Sequence, residues 1–185
     1  MSALVTACGG DTSTAAPATV VSDLGWTSFQ GMQIPTGEQG PQHADPVAPT
    51  GYDRSPAGAV LAAVSATIRM SVADDTQWPT VGQKLIAPGT ERDAWAVDRA
   101  QVSITAPVKA GQAPKVEAYS ITDSSPDRVT VKIYSRLSDG SYTENTAATQ
   151  WVAGDWRLAL ASGDKPVVRA VSAVPSTALL FEEPQ

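Results

Sequence analysis

Side chains able to do acid–base, nucleophilic or metal chemistry are few in this sequence, and they are scattered. The single histidine, His43, sits in "QGPQHADPVAP", where Pro and Gly interrupt regular structure, so it reads as a solvated loop residue and not as half of a catalytic dyad. Asp74, Asp75, Glu91, Asp93 and Asp98 gather around short helical segments, and Asp123 and Asp127 flank a turn. Carboxylates at such places act as caps and solvated helix faces; only one kept neutral by burial would suit proton transfer. Ser55 in "DRSPAG" precedes Pro56 and is explained by helix capping, not by nucleophilic catalysis. The spacings of HExxH, GxSxG, Walker A and GxGxxG do not occur. One cysteine, Cys8, can form neither an intrachain disulfide nor a cysteine zinc cluster. No catalytic or metal-ligating residue is assigned, no cofactor is expected, and the chain is read as a non-enzyme. What remains is Trp26, Trp78, Trp95, Trp151 and Trp156. Trp95 in a helical pattern and Trp156 in a strand pattern are assigned to the core. Trp26 and Trp78, beside Pro-rich or polar segments, are the candidate interface residues.

The bulk properties narrow the classes. A chain of 185 residues fits one globular core with a tail to spare, and 42% hydrophobic with 17% charged residues is a folding composition. Lys+Arg 13 against Asp+Glu 19 gives a net charge of −6 without a clustered basic run. Nucleic acid is therefore not expected as the partner, because phosphate binding needs concentrated positive charge. The longest apolar run, "AGAVLAAV", falls well short of the roughly 20 residues that span a bilayer.

The elements that must position these residues follow from periodicity. Residues 1–20 read as a flexible tether and 21–52 as an extended Pro/Gly-rich lead-in, whose Trp26, Phe29, Met32, Ile34 and Tyr52 pin it to the domain surface. From Ser55, Val60, Leu61, Val64, Ile68 and Val72 recur at helical spacing after an N-cap and a first-turn proline. Two short helices are predicted over 79–87 and 90–99, with Thr90 capping the second and Trp78, Leu85, Ile86, Trp95 and Val97 buried. The period then changes to two in "QVSITAPV", "KVEAYSITD", "RVTVKIYSRL" and "TAATQWVAGDWRLALA", with turns at Asp139-Gly140 and Ala153-Gly154-Asp155. Residues 53–165 make the domain, and 166–185 a C-terminal extension with at most a short edge segment. Helices followed by an antiparallel meander indicate an α+β fold: a long N-terminal helix and two short ones on a curved antiparallel sheet.

Two resemblances add expectations. "LVTACGG" resembles the lipobox of bacterial lipoproteins, in which an aliphatic and two small residues precede the cysteine that receives lipid. The resemblance implies lipidation of Cys8, attachment to a membrane and an extracytoplasmic address, with "GGDTSTAAPATV" as the tether. A signal peptide needs a basic start and a longer apolar stretch. The readings are thus a native start further upstream, or a lone thiol in a floppy terminus. The helix–helix–helix–meander order ending in "WVAGDWRLAL" resembles the NTF2-like (cystatin-like) fold, a cone of sheet around a helix. "GYDRSPAGAVLAAV" with "GDWRL" is similar to lipoprotein-like proteins of actinobacterial mobile elements. This kinship implies protein partners at the cell envelope, in conjugation or a related assembly, with homo-oligomers left open. The alternatives are an NTF2-like small-molecule binder or enzyme with an apolar cone pocket, and an exclusion or immunity lipoprotein.

Overall fold

Ser55 stops an extended segment and its Oγ accepts the Gly58 N–H at 3.1 Å, while Pro56 supplies a first-turn residue with no amide to satisfy. These residues start α1 (Pro56–Val72), as the sequence predicts. The computed structural model describes residues 18–163 and 167–181. Among them are two further helices, α2 (Trp78–Leu85) and α3 (Thr90–Arg99), and antiparallel sheets, giving an α+β fold. Helix α1 is buried nearly all round: Val60 and Leu61 are fully covered, and alanines at 57, 59, 62, 63 and 66 let neighbouring backbone approach. Each fully buried Val or Leu contributes about 1.5–3 kcal/mol.

The larger sheet is built from β3 (Lys115–Ser125), β4 (Arg128–Arg136), β5 (Tyr142–Val152), β6 (Asp155–Ala159), β7 (Val168–Val171) and β8 (Leu179–Leu180). Its order is β6-β5-β4-β3-β8, with β7 also on β5, and it does not close on itself. One face packs on α1 through Val129, Val131, Ile133, Tyr119, Trp156 and Leu158. The other face carries Tyr134, Ala118 and Glu144, which are also buried. Topology supplies the reason. Strand β7 lies beyond β5 and β8 beyond β3, so residues 172–178 must cross the sheet. That crossing is about four strand spacings, or roughly 19 Å, within reach of a near-extended chain. With α1 filling one face, a crossing over the other would account for the burial of Tyr134, Ala118 and Glu144.

The lead-in departs from the sequence reading. Instead of an irregular segment pinned to the surface, it contains a hairpin, β1 (Gly25–Phe29) and β2 (Met32–Thr36), closed at Gln30-Gly31. Both turn residues have positive φ, 49° and 82°, the geometry that matches the twist of a two-residue hairpin. Phe29, Met32, Ile34 and Tyr52 belong to the core. Pro35 is accommodated because β2 pairs on one side only.

Smaller corrections have local causes. "QVSITAPV" forms no strand: Val102 is exposed, and the segment is held instead by Arg99, which donates to the Ala73 and Val102 carbonyls, and by Asp75, which accepts from the Ile104 N–H. Helix α3 buries only Arg99, so Val97 is exposed and Trp95 half-buried, against the expectation of core positions. Thr90 is the first residue of α3 and not its side-chain cap.

Candidate interaction groove

The site begins with the β1–β2 hairpin. Its turn brings Gln33 beside the start of β3, where Lys115, Val116 and Glu117 form the opposite wall. Trp26 from β1, with Leu180 and Phe181 from the C-terminal segment, completes an apolar end of about 390 Å³. Trp26 meets Phe181 edge-on at 6.3 Å, and Phe181 leans on Tyr119 at 4.8 Å. The Trp26 indole N–H is buried without an acceptor, an uncommon state for a buried donor. A second cleft of about 380 Å³ shares Gln33 and Lys115 and runs on to Gly31, Arg136, Leu137 and Gly140. The two form one groove, apolar at the Trp26 end and cationic at the Arg136 end.

Lys115 and Arg136 are partners in the β3–β4 register. Like charges placed directly opposite repel. Neither has a carboxylate within ion-pair distance among the described residues, although Glu117 stands in the same wall. Lys132 and Arg169, by contrast, share a carboxylate: Glu144 takes Lys132 at 3.3 Å and Arg169 at 2.8 Å, which hold its carboxyl below the usual range, Arg169 first.

The other sequence-selected residues lie elsewhere. Trp78 packs edge-on against Trp95 at 5.9 Å, with the Arg99 guanidinium 5.7 Å from its ring, in the α2–α3 corner; it does not stack with Trp26. Cys8 lies outside the described residues. His43 is exposed and bridges through its backbone to Thr50. Asp74 accepts from Thr76 and Gln77 at the α1–α2 junction and from Gln30 of the hairpin turn; these bonds lower its pKa, the Thr76 hydroxyl foremost. Asp75 is lowered chiefly by the Ser103 hydroxyl.

Several interior polar groups fasten backbone. Asp155 accepts from the Gly51, Tyr52 and Trp156 amides at 2.7, 3.0 and 2.9 Å, and the Trp156 indole donates to the Asp53 carbonyl at 2.9 Å. "GYD" and "GDW" are thereby one junction in space. Arg54 extends it, lying 5.2 Å from the Trp151 ring and pairing with Asp127. Arg69, buried in α1, donates to the Pro46 and Val47 carbonyls at 2.8 and 3.0 Å and sits over the Phe29 ring. The Tyr119 hydroxyl accepts from the Val21 N–H and donates to the Thr19 carbonyl. Tyr52 is pushed up to about 12 by burial and so stays protonated.

The family described as Domain of unknown function (DUF8175) matches residues 2–178. The chain belongs to this family. The match takes in Cys8, the hairpin, α1 and the sheet through β7, and with them the cationic end of the groove. No curated protein and no solved structure matches the chain.

The sequence singles out Trp26 but not its neighbours. Gln33, Lys115 and Arg136 look like ordinary surface residues until the hairpin is recognised. "SFQGMQI" carries the signal, a Gly-containing pair between Phe29 and an alternating Met32 and Ile34.

Proposed function

We propose that this domain is a non-enzymatic interaction module, tethered outside the cytoplasm through a lipid on Cys8, that joins a protein assembly of the cell envelope. The observation that carries the interaction reading is the contrast between interior and surface. Asp155, Arg69, Arg99 and Tyr119 use their hydrogen bonds to fasten backbone. The surface groove keeps two cations without carboxylate partners beside the exposed Leu180 and the half-buried Trp26. That distribution suits recognition of another chain better than turnover of a small molecule. The lipobox-like "LVTACGG" supports the address, and the similarity of "GYDRSPAGAVLAAV" and "GDWRL" to mobile-element proteins supports a conjugation-related assembly. The order of three helices followed by antiparallel strands on α1 supports an NTF2-like cone. Mass spectrometry of the protein expressed from its native gene tests the anchor. The expected species begins at Cys8 and carries diacylglycerol; a free Cys8 thiol on a cytoplasmic protein overturns the anchoring.

A further inference from the structure

We propose that the groove between β2 and β3 binds an acidic, extended segment of a partner protein. The inference rests on the interaction-module reading and names the surface and the chemistry of its partner. Three observations converge on this occupant.

The first is backbone. In a two-residue hairpin the residues flanking the turn, Phe29 and Met32, exchange ladder bonds, so the next pair, Ser28 and Gln33, aim their N–H and C=O groups away from each other. Strand β2 pairs with β1 alone, which leaves the Gln33 amide and carbonyl facing the groove they line. An extended peptide is the ligand that hydrogen-bonds such an edge.

The second is charge. On a chain of net charge −6, Lys115 and Arg136 stand opposite each other in register. Both are exposed, and neither has a carboxylate partner among the described residues. A carboxylate between them would turn a repulsive pair into two attractive ones. The third is the apolar end, where Trp26, Phe181 and the exposed Leu180 offer a seat for one hydrophobic side chain next to the acidic one. Side chains two residues apart in a strand point to the same side, so an acidic residue and an apolar one at positions i and i+2 meet the cationic and apolar ends of the groove together.

The test is a titration of the isotope-labelled full chain with a capped peptide repeating glutamate-serine-valine-serine, which puts acidic and apolar side chains on one face, with the same peptide carrying lysine for glutamate as control. The acidic peptide is expected to shift the amide signals of Gln33, Lys115 and Arg136 and the indole N–H of Trp26, more weakly as salt is added, and the lysine peptide to leave them unmoved. Lys115→Glu combined with Arg136→Glu, both surface changes, is expected to lower the affinity at least about tenfold with unchanged circular dichroism. Shifts confined to other residues, no binding, or an affinity untouched by the double reversal overturn the proposal. Crosslinking in cells separates it from the broader reading. A wild-type crosslink to an envelope protein that survives the double reversal overturns the groove and leaves the interaction module standing. Failure of the wild-type chain to crosslink to any protein overturns the module, and the titration then decides the groove on its own.

Discussion

Asp45 shows how one carboxylate organises the chain before α1. Its Oδ1 accepts from the Val47 and Ala48 amides at 2.8 and 2.9 Å, and its Oδ2 from Lys84 at 3.0 Å. The Ala48 amide, then Lys84, then the Val47 amide lower its pKa from 3.8 to about 2. Because the folded value lies below the unfolded one, the contribution is complete above pH 3.8 and disappears as the pH falls through about 2. Asp45→Asn keeps an acceptor for the two amides and removes the charge. It is expected to lower stability at neutral pH by at most about 1 kcal/mol, since the pair with Lys84 is partly exposed and screened. Urea denaturation of both proteins at several pH values checks this. The gap should narrow from pH 4 toward pH 2, and a gap that stays constant or widens there refutes the role. "HADPVA" reads as a loop because of Pro46, but nothing in the sequence shows that Arg69 grips the carbonyls of the same loop.

Two glycines separate rigid from yielding elements. A Cβ on Gly58, in the first turn of α1, would stand 2.2 Å from the Asp53 carbonyl oxygen, backbone against backbone with Ser55 fixed between. A Cβ on Gly82 in α2 would meet the edge of the half-buried Trp95 ring at 2.6 Å, a side chain that can shift because α3 buries only Arg99. Alanine favours helix by about 1 kcal/mol over glycine, while overpacking costs about 1–3 kcal/mol where nothing can move. Gly58→Ala is therefore expected to destabilise the fold by about 2 kcal/mol or more in chemical denaturation. Gly82→Ala should stay within about 1 kcal/mol, yet speed hydrogen exchange in α3 as Trp95 is displaced. Equal global losses for the two would contradict this division. The same contrast explains which elements the sequence makes legible. Helix α1 and strand β4 are readable because long periodic faces and local signals, Ser55-Pro56 and Asp139-Gly140, agree with the core they enter. The hairpin is obscured by the prolines around it. The alternation of Val102 and Ile104 misleads because a period of two without a partner strand carries no pairing. Groove residues are hidden for a different reason, since Gln33, Lys115 and Arg136 become a site only through strand register.

At the scale of the molecule, the segments on either side of the sheet are closed by one aromatic contact. Phe181, near the C-terminal end, sits between Trp26 of the hairpin and Tyr119 of β3, and its amide donates to the Glu117 carbonyl at 2.8 Å. The Tyr119 hydroxyl in turn fastens residues 19 and 21. Hairpin, central sheet and the C-terminal residues after β8 thus share a cluster whose members are distant in sequence, which binds them into one cooperative unit. Phe181→Ala opens a cavity in that cluster while leaving the backbone hydrogen bond of residue 181 in place, and about 3 kcal/mol of stability should be lost. The loss should be global: hydrogen exchange of β1, β2 and β3 should accelerate together, with a single unfolding transition by circular dichroism. Acceleration in the hairpin alone, with β3 and α1 still protected, would mean that the hairpin opens independently. Strand β2 would then be a movable wall of the groove instead of a fixed edge, so this exchange pattern also decides whether a docking segment meets a preformed surface.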